Sequence, residues 1–143
     1  MPEKFASRLA LTSCLAFTLI TASAQTDTAS AWTWIHGDAG IAQPAVYGTA
    51  GTPAPANKPG DGQMRWLDTA TNLWIMSQGS HGNELWKYDR TVRQWAFIKG
   101  AVSDLGVYGS KGIADPANFP GTRSGATTWV DVNGNFWLFG GVG

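Results

Sequence analysis

From residue 64 onward, short apolar or aromatic runs alternate with short polar turns. Segments 64–68 and 73–76 are such runs with a few polar residues between them, the pattern of a β-hairpin. Residues 84–88 and 94–98 supply two more short strands, the last carrying Trp95, Ala96, Phe97 and Ile98 before Gly100 ends it. Four strands joined by turns predict one antiparallel sheet. A second hairpin begins at about residue 126 and runs through Asn133-Gly134 to the apolar segment 136–139. Asn-Gly predicts a tight primed turn, because both residues accept a positive φ. Leu73, Trp74, Ile75 and Met76 are apolar at consecutive positions, as are Phe136, Trp137, Leu138 and Phe139. Such runs suit strands covered on both faces.

The same pattern occurs twice. Trp32 and Trp95, Trp66 and Trp129, and Trp74 and Trp137 are each separated by 63 residues. Trp34 with Phe97, Gly37 with Gly100, Asp68 with Asp131, and Asn72 with Asn135 keep the same step. Tyr47-Gly48 with Tyr108-Gly109, and Pro59-Gly60 with Pro120-Gly121, are two residues short of it. Rigid elements that hold register around a middle that slips are the mark of a duplicated unit with a tolerant loop. The loops are about 37–63 and 100–124, rich in Gly and Pro. Loops of that length are uncommon unless they are functional or disordered. By this alignment residues 31–36 match the strand at 94–98, and the second copy stops after two strands.

The first two dozen residues differ in kind. Lys4 and Arg8 precede an apolar run from Leu9 to Ile20, and Ala22-Ser23-Ala24 follows it. This is the layout of a secretory signal peptide, 1–24, with cleavage after Ala24 and a linker over 25–30. Its apolar run is too short to span a bilayer as a helix. A competing reading takes Leu11, Thr12, Ser13 and Cys14 as a lipoprotein cleavage site with Cys14 acylated; the better apolar segment lies after that cysteine, where a lipoprotein does not need it. Either way the chain is expected to be exported, to the periplasm, the cell surface or the medium. Cleavage after Ala24 removes the only cysteine, so no disulfide can staple the mature domain.

The run Asp131, Asn133-Gly134-Asn135, Phe136, Trp137, Leu138, Phe139, Gly140-Gly141 resembles the diglycine strand of kelch repeats. Asn83, Glu84, Leu85, Trp86, Lys87, Tyr88, Asp89 and then Trp95 resemble the tyrosine and tryptophan portion of the same repeat, in its galactose-oxidase-like form. The resemblance covers about 31–143. It implies an all-β fold of four-stranded antiparallel kelch-like propeller blades, with a complete blade at about 64–98, a partial second from about 126, and an incomplete ring. The structural repeat residues are then Trp32, Trp66, Trp74, Trp86, Trp95, Trp129, Trp137, Gly140 and Gly141. The first copy departs from the pattern, having Met76-Ser77-Gln78 where the second has Phe139-Gly140-Gly141. An unclosed ring leaves open strand edges that invite self-association. A compact monomer would instead pair strand 31–36 with the C-terminal hairpin and bring Trp34 near Trp137.

Charge changes little in this picture. Ten basic and ten acidic residues balance formally, which gives no field directed at nucleic acid or an anionic surface. The copper radical chemistry associated with the galactose-oxidase likeness depends on a tyrosine cross-linked to a cysteine, and the mature chain has no cysteine. His36 and His81 have no second histidine or thiolate at ligand spacing. Asp131, Asn133 and Asn135 have the alternation of a calcium loop without its glycine or distal glutamate, which favours a hairpin turn. No nucleophile arrangement, phosphate loop or dinucleotide fingerprint is present. The expectation is therefore a module without catalytic residues, metal or cofactor that binds a protein or a glycan. The alternative is a piece of a kelch-propeller enzyme acting on sugars, of the epimerase or oxidase class. Tyr47, Tyr108 and Arg123, in the long loops, are the candidates for ligand contact, weighed against simple packing of each loop onto its sheet.

Overall fold

The computed structural model describes residues 32–41, 43–62, 64–77, 82–101 and 105–143. The segments expected to be a signal peptide and a linker, with Cys14 and His81, lie outside them. The chain divides into two compact units, Met1–Thr33 and Trp34–Gly143. In the first unit Trp32 is fully exposed.

The second unit is all-β, with two antiparallel sheets and no helix among the described residues. The first sheet is a meander of β1 (Met64–Leu67), β2 (Leu73–Met76), β3 (Leu85–Asp89) and β4 (Gln94–Lys99), each strand paired with the next. The second sheet is the hairpin of β5 (Thr127–Val130) and β6 (Phe136–Phe139). All six strands fall where the apolar runs predict them, within about two residues. The expected strand at 31–36 does not form over residues 32–36. The second sheet contains β5 and β6 alone, so the pairing expected to bring Trp34 to Trp137 is not made. Trp34 is mostly exposed and donates its indole N–H to the carbonyl of His36, two residues away, at 2.9 Å.

The duplication is visible in the hydrogen bonds. Trp66 stands opposite Trp74 across β1 and β2, and Trp129 stands opposite Trp137 across β5 and β6. Asp68 accepts from Asn72 N, Asn72 Nδ2 and Trp74 Nε1 at 2.8, 3.0 and 2.9 Å. Asp131 accepts from Asn135 N, Asn135 Nδ2 and Trp137 Nε1 at 2.9, 2.9 and 3.0 Å. The aspartate thus satisfies the turn backbone and fixes the indole of the return strand in one step.

The turn itself differs from the primed two-residue loop that Asn-Gly predicts. Gly134 N donates to Asp131 O at 3.0 Å, Asp131 N donates to Asn135 O at 3.1 Å, and only Gly134, at φ 82°, enters the left-handed region. This is a turn followed by one left-handed residue, which closes a hairpin with a longer loop. The first hairpin uses the same geometry with Thr71 at φ 63°.

The core lies between the sheets. Met64, Trp66 and Met76 are buried, and Phe119, Ala126, Val130, Phe136 and Leu138 pack onto them. Trp66 stacks on Phe136 with centroids 5.6 Å apart and planes 11° apart. Trp66 Nε1 donates to Trp137 O at 2.9 Å, and Thr128 Oγ1 donates to Arg65 O at 3.1 Å. The strand β6 alternates between half-buried and exposed positions, so the expected cover on both faces is found on one face only. A continuous apolar run says that both faces avoid water, but a cover requires a neighbouring element on each side.

Candidate functional site

The long loops are ordered by a shared device. Val46 bridges Lys58 in the first and Val107 bridges Phe119 in the second. Asn57 Nδ2 donates to Thr52 O at 2.9 Å, and Asn118 Nδ2 donates to Ile113 O at 3.1 Å. At Gly48 a Cβ would come within 2.2 Å of Asn57 Oδ1, and at Gly109 within 2.4 Å of Asn118 Oδ1. Glycine is required at both because the loop closes over its own asparagine. The signal for this is the segment Pro-Ala-Asn-x-Pro-Gly, present at 55–60 and again at 116–121.

Each loop is tied to the first sheet, in a different place. The first lies along the free edge of β4, with Gly51 N donating to Phe97 O at 2.7 Å and Ala54 N to Trp95 O at 3.2 Å. Edge groups that would otherwise be open are thereby paired. The second loop is held where β4 finishes and β3 begins. Lys99 Nζ donates to Pro116 O and Asn118 O at 3.1 and 3.2 Å and lies 4.7 Å from the Phe119 ring centroid. Asn83 Nδ2 donates to Pro120 O at 2.9 Å. These contacts insert Phe119 between the two sheets.

Tyr47 is a packing residue of the first loop. Its ring lies 5.5 Å from Trp86 and 5.1 Å from Phe97, centroid to centroid. Its hydroxyl donates to Glu84 Oε1. Glu84 is buried, and its other oxygen accepts from Trp86 Nε1 at 3.2 Å and Ser77 Oγ at 3.5 Å. The hydrogen bond to Glu84, then burial, then the carboxylate's charge push the Tyr47 hydroxyl up to about 12, so it stays protonated. Glu84 was not singled out from sequence. Its one local signal is the indole two residues on, at Trp86.

Tyr108 and Arg123 are brought together, apart from Tyr47. Arg123 Nη2 donates to Tyr108 Oη at 2.8 Å, and Gly121 N donates to the same oxygen at 3.2 Å. Arg123 Nη1 reaches Gly140 O at 2.9 Å, and Nε reaches Gly121 O at 3.3 Å. The pair stands at the mouth of a cleft of about 370 Å³ between the sheets, whose floor is Trp66, Met76, Leu85, Phe136 and Leu138. This cleft is apolar with one cation and one phenol at its rim. The guanidinium clamps the second loop to the chain after β6.

The remaining candidates carry no ligand set. The carboxylate of Asp131 is engaged by the donors of its own turn, including Asn133 N at 2.9 Å. Hydrogen bonds from Trp137 and Asn135 draw it down to about 2. His36 lies edge-on to Tyr88 with centroids 6.2 Å apart, and its Nδ1 and the Tyr88 hydroxyl are buried without a hydrogen bond. Among the described residues no three His, Cys, Asp or Glu side chains group as metal ligands, and no helix is long and apolar enough to cross a membrane.

Comparison with protein-family models, with curated proteins and with solved structures finds no match to this chain.

Proposed function

We propose that the chain is a non-catalytic, exported binding or scaffold module built from kelch-like blades, presenting its long loops and aromatic faces to a protein or a glycan. The observation that carries this reading is the fate of the polar side chains that hold the loops, both at the cleft between the sheets and away from it. Arg123, Tyr108, Asn83 and Lys99 all bond to loop backbone or to one another, and the buried Glu84 is saturated by Tyr47, Trp86 and Ser77. Groups held this way shape a surface rather than offer a free proton-transfer position. The blade reading is supported by the four-strand meander and by the placement of β5 beside β1, which sets the two sheets side by side through their first strands.

The test is ligand-observed NMR on the exported chain with neutral oligosaccharides, run alongside product analysis with and without added copper. Saturation transfer to a sugar that is recovered unchanged, weakened by Tyr108→Ala, is the expected result if the ligand is a glycan. Oxidised or epimerised sugar overturns the non-catalytic reading.

A further inference from the structure

The two sheets present the same four-residue face, and only one of these faces is covered. In the first sheet Met64, Trp66, Trp74 and Met76 point toward the second sheet; Met64, Trp66 and Met76 are 3%, 6% and 2% exposed. Sixty-three residues later the same positions are Thr127, Trp129, Trp137 and Phe139. They point away from the first sheet, with Trp129, Trp137 and Phe139 exposed at 44%, 47% and 73%. Trp129 and Trp137 lie parallel, centroids 5.7 Å and planes 4° apart, stacked on one another with both rings still partly open to solvent. Trp137 Nε1 is occupied by Asp131, as its counterpart is by Asp68. The Trp129 indole is the counterpart of Trp66, whose N–H is taken by the backbone of the sheet that covers it.

What covers such a face is written in the molecule. The covering side of the second sheet is Thr128, Val130, Phe136 and Leu138, with Thr128 donating to Arg65 O. The same side of the first sheet is Arg65, Leu67, Leu73 and Ile75, at the 63-residue step. Arg65 and Leu67 are exposed there, Leu67 at 57%. On that side Ile75 is buried, so the open part is the β1 half, Arg65 and Leu67, with half-buried Leu73 beside it; this strip and the receiving side of the second sheet are the repeat equivalents of two surfaces already joined within one chain.

We infer that a second copy of this chain docks head to tail on the Trp129, Trp137 and Phe139 face, placing its Arg65, Leu67 and Leu73 where Thr128, Val130 and Phe136 sit in the contact within the chain. The inference rests on the reading of the two sheets as blade-like units. Leu73 lies against Trp129 as Phe136 lies on Trp66. Trp129 Nε1 donates to the Trp74 carbonyl of the second copy, and Arg65, a donor with longer reach, takes the part of the Thr128 hydroxyl. The interface is heterologous, so a dimer retains one open face of each kind and can add further copies or close into a ring.

Sedimentation velocity on the exported chain tests this directly. The native chain is expected to show species of two or more chains that grow with concentration. Phe139→Lys spoils the receiving face and Leu67→Lys the covering face; both residues are more than half exposed, so each variant keeps its sheets. Each variant alone is expected to sediment as a monomer, while an equimolar mixture forms a dimer and nothing larger, because each chain supplies the face the other lacks. A native chain that stays monomeric, a variant that still associates alone, or a mixture that stays monomeric overturns the proposal. The first of these outcomes assigns the Trp129, Trp137 and Phe139 face to a different partner. Sugar turnover would overturn the functional reading without moving any of these sedimentation results.

Discussion

The hairpin of β1 and β2 and the hairpin of β5 and β6 have the same register, the same aspartate-centred turn and paired tryptophans at the same places. In the first hairpin the tryptophan face forms the core; in the second it forms a surface. The local code is therefore separable from burial. Asp68 and Asp131 build their turns alike because every partner lies within six residues. Trp66 and Trp129 differ because burial of an indole depends on a sheet distant in sequence, and Phe136 serves only the first.

Replacing each tryptophan by alanine sharpens this comparison most. Trp66→Ala removes a buried ring stacked on Phe136 and an indole donor to Trp137 O, and should cost about 3–5 kcal/mol, enough to unfold a marginal domain. Trp129→Ala removes a half-exposed ring and should cost roughly a third of that. Urea unfolding of the two variants, followed by far-UV circular dichroism, decides the matter. Equal losses would mean that the two hairpins are buried alike.

Glu84 tests the first copy's private network. Glu84→Ala strands the Tyr47 hydroxyl, the Trp86 indole and the Ser77 hydroxyl, and should cost about 2–3 kcal/mol. In the native chain Tyr47 ionises at about 12, above its ordinary value of 10.0, so its contribution is complete below pH 10 and is lost as pH rises through 12. In an ultraviolet titration the Tyr47 step should come late and move back toward its ordinary value in Glu84→Gln. A profile unchanged by that substitution would remove Glu84 as the cause.

The turns offer a smaller, reciprocal test. Thr71 holds the left-handed position that Gly134 holds in the second copy, and a β-branched residue is disfavoured there by roughly 1–2 kcal/mol. Thr71→Gly should stabilise by about 0.5–1 kcal/mol after loss of the exposed bond from Arg90 and the added freedom of the unfolded chain. Gly134→Thr should destabilise by about 1 kcal/mol. The same sign for both, in thermal melts, would show that the turns are not equivalent.

Acid gives the smallest effect. Trp137 and Asn135 hold Asp131 at about 2. Around Asp68 partial burial pushes the carboxyl up, and the hydrogen bonds from Trp74 and Asn72 outweigh it, leaving the group below its ordinary value. Both carboxylates contribute above the unfolded carboxyl value of about 4; the contribution of Asp131 fades as pH falls toward 2, and that of Asp68 as pH falls through its own lowered value. Stability that declines already between pH 7 and 5 would point to other groups. Asp68→Asn and Asp131→Asn should both flatten the acid limb.

The six strands were legible because each is a short apolar run between polar turns, a signal contained in a handful of neighbouring residues. The duplication was legible through Trp66, Trp74, Trp129 and Trp137. The strand expected at 31–36 was read from Trp32 and Trp34 by analogy with Trp95 and Phe97, but β4 is a strand because β3 pairs with it. Segment 34–36 has no such partner in the second unit. At the cleft, Tyr108 and Arg123 were marked as loop residues of unusual chemistry; nothing in their spacing showed that one would bond the other while Tyr47 turned to Glu84.

Sequence alone determined the strands, the turns and the two-fold repetition, since hairpin register and the Asp-Asn-Trp turn are closed by residues close in the chain. Only the tertiary structure decided which tryptophans are core, which face stands open and which tyrosine meets the arginine. Burial depends on what arrives from far along the chain, and identical local segments receive different neighbours.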